Sequence, residues 1–149
     1  MRIHGDRKPV EKVCRKDGTE VLPSGSSNEI WSFGEEAEPI LEKSLRRREE
    51  LRPYVRELMH RAHTDGTPLM RAMAYEFPED AACAGLKDQY MFGSRFLVAP
   101  ILYPGLRERE VYLPAGSAWR DADTGETFDG GQRVRLAAPL DRIPVLERL

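Results

Sequence analysis

The sequence predicts an α/β part followed by an all-β part, and three observations carry that reading. Residues from Glu35 to Gly66 repeat apolar positions at helical spacing. Leu69 to Phe77 is apolar almost throughout, which suits a strand covered on both faces, as in a parallel sheet. Beyond Pro104, short β-like runs alternate with turn signals. A helix followed by a buried strand is an α/β signature. The two patterns meet between Asp80 and Gly93, and a boundary at residue 88 divides the chain into parts 1–88 and 89–149.

Taken in order, Gly5 to Gly34 carries many charges, few apolar residues and two turn signals, Asp17-Gly18 and Pro23 to Asn28, so it reads as one long loop. Loops of this length often line functional sites. From Glu35 the pattern turns helical, with acidic residues at the start, where the helix dipole favours them, and Ile40, Leu41 and Leu45 along one face. Pro53 lacks an amide donor and clashes with the preceding turn, which predicts a kink or a new helix. Leu51, Val55, Leu58, Met59 and Ala62 continue the stripe, and Gly66 is placed to end it. The Arg46-Arg47-Arg48 run between glutamates reads as a solvated face.

Thr67-Pro68 closes the helical segment, Pro78 to Leu86 gives a turn with a short helix, and Phe96 to Leu102 gives a further strand. Four strands follow at Glu110 to Leu113, Ala118 to Asp121, Gln132 to Leu136 and Ile143 to Leu146. Three turns lie between them, Pro114-Ala115-Gly116, Asp123-Thr124-Gly125 and Asp129-Gly130-Gly131. Val134 and Leu136 alternate with Arg133 and Arg135, as in a half-buried antiparallel strand.

At 149 residues, 40% of them hydrophobic, the chain is long enough for one domain or two small pieces with a core. A net charge of -2 leaves no cationic excess for phosphates, so nucleic acid is not an expected partner. No apolar run approaches the roughly 20 residues of a spanning helix, so no membrane is expected either. Met1 to Glu11 is polar where a secretory signal needs an apolar core, which fits a cytoplasmic chain if Met1 is the true start. Cys14 and Cys83 stand apart without a CxxC motif or clustered His, so two free thiols, or at most one bridge, are expected, and no metal site. No cofactor is implied: Gly130-Gly131 lacks the strand and helix context of a phosphate-binding loop.

Several blocks point to a family. They are Arg2-Ile3-His4-Gly5, Asn28 to Glu36 with Trp31-Ser32-Phe33-Gly34, Met70 to Pro78, Gln89 to Ile101, and Ala138 to Pro144. Together they resemble the family 31 glycoside hydrolases, retaining α-glucosidases and α-xylosidases. The resemblance implies the terminal part of a (β/α)8 barrel followed by an antiparallel β-sandwich domain, both incomplete. A whole barrel takes about 250 residues, so this chain supplies about two of its eight strands.

Retaining glycosidases use two carboxyl groups about 5 to 5.5 Å apart. In the resembled family both are aspartates on earlier strands, upstream of the block matching Arg2 to Gly5, and neither motif is in this sequence. The expectation is a C-terminal fragment, inactive by itself, whose parent acts on a carbohydrate. Asp6, Glu29, Glu35, Glu76 and Asp80 match no catalytic position.

His4 matches the histidine of the family's Arg-x-His block, which hydrogen-bonds sugar hydroxyls; an imidazole both donates and accepts, as a hydroxyl does. Arg2 bears on the same pocket or forms a structural ion pair. Glu76 stands near the end of the expected buried strand, where barrel enzymes place reacting groups, but pairing with Arg71 is the preferred reading. Trp31 and Phe33 are expected to pack rather than to stack on a sugar, and Trp119 to fill the β core. Asp6 to Ser27 is longer than the family's usual connection, which leaves the choice of glucoside or xyloside open. Two rivals stand beside the fragment: a stand-alone carbohydrate- or partner-binding module, and one half of a split glycosidase.

Overall fold

Residues 13–21 and 29–149 are described by a computed structural model. Inside the stretch read as loop, Val13–Cys14 (β1) and Glu20–Val21 (β2) pair as a small antiparallel hairpin. Its turn is the Asp17-Gly18 signal: Gly18 takes a φ of 82°, and Asp17 Oδ1 accepts from Thr19 N at 3.0 Å and Thr19 Oγ1 at 2.6 Å. A 3-10 helix at Ile30–Phe33 precedes α1, Ala37–Glu50, which buries no residue fully. These elements belong to a unit that ends at Arg52.

The second unit is Pro53–Leu149. Helix α2, Arg52–Asp65, carries Pro53 in its first turn, where a missing amide hydrogen leaves no helical bond unmade. The new helix anticipated there therefore forms, and Gly66, at φ 75°, follows its last residue. The stripe is only partly buried: Leu58 is enclosed while Met59 stays 56% exposed. Tyr54 takes the contact role instead. Its hydroxyl donates to Phe92 O at 3.2 Å and accepts from Arg95 N at 3.3 Å, and its ring meets Phe92 and Phe96 edge-on. Such an approach needs Gly93 between them, since a Cβ there would lie 2.0 Å from the Tyr54 hydroxyl oxygen.

The remaining elements are β3 (Met70–Ala72), a single turn α3 (Met73–Glu76), a 3-10 helix (Ala81–Gly85) and seven strands. The strands are β4 (Tyr90–Phe92), β5 (Phe96–Val98), β6 (Glu108–Leu113), β7 (Ala118–Asp121), β8 (Thr127–Asp129), β9 (Gln132–Ala137) and β10 (Val145–Arg148). One sheet runs β3-β4-β5-β10-β7-β8 and a second is β6-β9, with every pairing antiparallel. The architecture is thus mostly antiparallel sheet with a few helices.

The expectation of a parallel strand buried on both faces over Leu69 to Phe77 is corrected. Only three residues are extended; they form an edge strand paired antiparallel with β4, and the chain then coils into α3. Met70 is 60% and Tyr75 56% exposed, so an apolar run here marks one covered side rather than two. Strand β3, before residue 88, shares its sheet with strands that lie after it.

Alternation along each strand sends one set of side chains inward. The register aligns Arg71, Met91, Leu97, Leu146 and Asp121 in a row across five strands. The three apolar members are fully buried, and a charged residue closes each end. Val111, Leu113 and Leu136 of the second sheet join the same core, with Trp119 wholly enclosed and its indole N–H donating to Pro114 O at 3.2 Å. The reading of Trp119 as a core residue holds.

Candidate functional site

Three groups of polar side chains in the second unit could carry chemistry. In the first, Arg71 projects from β3 to the core side and is 6% exposed. Its Nε donates to Pro68 O at 2.9 Å and its Nη1 to Glu76 Oε2 at 2.6 Å. Nη2 is the one buried side-chain nitrogen or oxygen without a hydrogen-bond partner among the described residues, and the guanidinium carbon lies 6.0 Å from the Tyr75 ring. The other oxygen of Glu76 faces Arg148 Nη1 at 3.5 Å, while Arg148 lies over Phe77 and donates through Nε to Ser117 Oγ. Both oxygens of Glu76 are therefore held by cations. A nucleophile or proton donor needs an oxygen directed at a substrate, so this geometry supports the ion-pair reading of Glu76.

Asp80 forms the second group. Oδ1 accepts from Ala82 N at 3.1 Å, capping the short 3-10 helix, and Oδ2 accepts from Tyr112 Oη at 2.8 Å and Ala115 N at 3.1 Å. The Ala115 amide above all, joined by the Tyr112 hydroxyl and the Ala82 amide, holds its carboxyl below the ordinary range against the opposing effect of burial. Burial, with the Asp80 charge beside it, pushes the Tyr112 phenol up to about 12. A carboxylate kept ionised by donors is the reverse of a general acid, whose proton must be retained near neutral pH. Glu147 is held low in the same way, by Arg120 and then Arg95. Asp121 accepts from Arg142 and from the amides of Asp123 and Thr124.

The third group lines a groove of about 350 Å³ between the loop from Pro100 to Leu106 and strand β6. Arg109 lines it and is held on several sides: Nε donates to Glu110 O at 3.2 Å, Nη1 to Asp88 O at 2.7 Å and Pro100 O at 2.6 Å, and Nη2 to Asp88 Oδ2 at 2.7 Å. Tyr103 stands on the rim, 70% exposed. No pattern in the sequence joins Asp88, Tyr103 and Arg109, because the fold alone brings them together.

His4, Arg2 and Asp6 lie outside the described residues. Glu29 and Glu35 are exposed in the first unit. Trp31 is 66% exposed and Phe33 38%, so the packing expected of Trp31 is not made among the described residues. Cys14 and Cys83 are free thiols, the first exposed and the second buried. No described helix is long and apolar enough to cross a membrane.

Against known proteins, residues 66–148 match the family model described as the glycosyl hydrolase family 31 C-terminal domain. The sequence is 38% identical over 117 residues to alpha-glucosidase 2 of Bacillus thermoamyloliquefaciens, covering 78% of this chain and 15% of that protein. It is 35% identical over 136 residues to an alpha-xylosidase of Saccharolobus solfataricus, covering 91% of this chain and 18% of that protein. A crystal structure of a GH31 alpha-xylosidase from a soil metagenome, complexed with xylose, superposes with a TM-score of 0.85 at 45% identity. That match covers 95% of this chain and 21% of the xylosidase. The chain thus spans about a fifth or less of each of these relatives.

Proposed function

The chain belongs to glycoside hydrolase family 31, and from that premise we propose that it is the supporting C-terminal region of a retaining α-glycosidase acting on terminal α-glucosides or α-xylosides. The observation that carries this reading is the pair of coverages: nearly all of this chain aligns with an alpha-xylosidase, but with only a small share of it. In this reading residues 1–88 end the barrel and 89–149 open the β-sandwich, with the matched C-terminal domain itself beginning at residue 66. His4 and Arg2 contribute to the sugar pocket, on the strength of the resemblance carried by the Arg2 to Gly5 block.

Bond cleavage by retention needs a nucleophile and an acid facing each other across the anomeric carbon. Glu76, Asp80, Asp121 and Glu147 are each engaged by arginines or by backbone and hydroxyl donors. The isolated chain is accordingly inactive. Sequencing the DNA upstream of the first codon tests the assignment: an open frame carrying two aspartate motifs is expected, and a promoter with a ribosome-binding site at Met1 would contradict it.

The second reading, a stand-alone carbohydrate- or partner-binding module, is favoured by the second unit having a buried hydrophobic cluster of its own. A split enzyme is the remaining variant, and recovery of activity on mixing with a carboxylate-bearing partner chain would identify it.

A further inference from the structure

We propose that the groove between the loop from Pro100 to Leu106 and strand β6 binds one or two units of a neutral saccharide. Its volume, about 350 Å³, suits a ligand of that size. Tyr103 at the rim is 70% exposed, with Leu102 and Leu106 at 56% and 46% beside it. Together they offer an aromatic and aliphatic platform to the C–H face of a pyranose, at little conformational cost because a tyrosine has few rotatable bonds.

The polar wall specifies the charge of the guest. Arg109 pairs with Asp88 and Arg133 with Glu110, so each cation lining the groove has an anion beside it, and the lining carboxylate Glu108 pairs with Arg135. An anionic or cationic ligand meets no net attraction there. A hydroxyl, which donates and accepts at once, can bridge a carboxylate and a guanidinium without breaking their pair. Asp88 and Glu108 keep about half of their side-chain surface in solvent, leaving oxygens free to accept. Arg109 is 9% exposed at its side chain and fixed by four hydrogen bonds, so the wall is ordered before a ligand arrives. Binding by the 149-residue chain is read directly, so the test is independent of activity.

Titration of the 149-residue chain with maltotriose, isomaltotriose and an α-xylosyl oligosaccharide, followed by calorimetry, reads binding directly. At least one sugar is expected to bind saturably. Tyr103→Ala should weaken it about tenfold or more, and Tyr103→Phe should retain most of it. Because Tyr103 is exposed, the melting temperature of both variants should match the parent, which separates a lost contact from a lost fold. Absence of saturable binding by the parent chain, or equal binding by a folded Tyr103→Ala variant, would overturn the proposal.

Discussion

Gln89 and Tyr112 are joined by two hydrogen bonds: Gln89 Nε2 donates to Tyr112 O at 2.7 Å, and Tyr112 N donates to Gln89 Oε1 at 2.9 Å. The side-chain amide takes the place of a neighbouring strand's backbone, tying the edge of β6 to the residue just before β4. Gln89 is 5% exposed, so neither bond is shared with solvent.

Replacing Gln89 by Ala should leave a buried amide and carbonyl unpaired and destabilise the chain by about 2 to 4 kcal/mol. Urea unfolding of the two proteins measures the difference. Equal midpoints would show that the link between the sheets contributes nothing.

Glu76 should behave as a structural anion. Glu76→Ala strands the guanidinium of Arg71 in the interior, for about 3 kcal/mol of lost stability. A double variant, Arg71→Met with Glu76→Leu, should recover much of it. Additive losses in that double-mutant cycle would contradict the pairing.

Much of this architecture was legible in the sequence. The helices follow from the spacing of Ile40, Leu41 and Leu45, and their break from Pro53; the β6 to β9 region follows from its glycine turns. Leu69 to Phe77 reads as a doubly covered strand because an apolar run does not reveal whether one side or two are covered. Thr127–Asp129 gives no strand signal because a polar strand at a sheet edge has little apolar alternation to show. The groove was invisible for a different reason. Asp88 and Arg109 are 21 residues apart, and only the packing of the segment before β4 against β6, a strand of the other sheet, makes them partners.

Acid should weaken the fold partly through Asp80 and Glu147, whose folded values lie below their ordinary ones. Their unfolded values are near 3.9 and 4.3. Their contribution is therefore complete above those values and disappears as pH falls through the lower, folded ones. Asp80→Asn should make the melting temperature depend less steeply on pH below about 4. An unchanged profile would remove Asp80 from the account.

The two thiols should react unequally. Burial, aided by the Asp80 charge, pushes the Cys83 thiol up to about 11, whereas Cys14 is exposed. A thiol-specific reagent at neutral pH should label Cys14 promptly and Cys83 only after denaturation. Fast labelling of both under native conditions would mean that the core around Cys83 opens readily.

The central claim, that this chain supports a sugar site without breaking the bond, meets its most direct test in an assay of the purified chain with aryl α-glucoside and aryl α-xyloside. No turnover above the uncatalysed rate is expected. Steady hydrolysis by the folded chain, abolished by changing one of its own carboxylates to the amide, would contradict it.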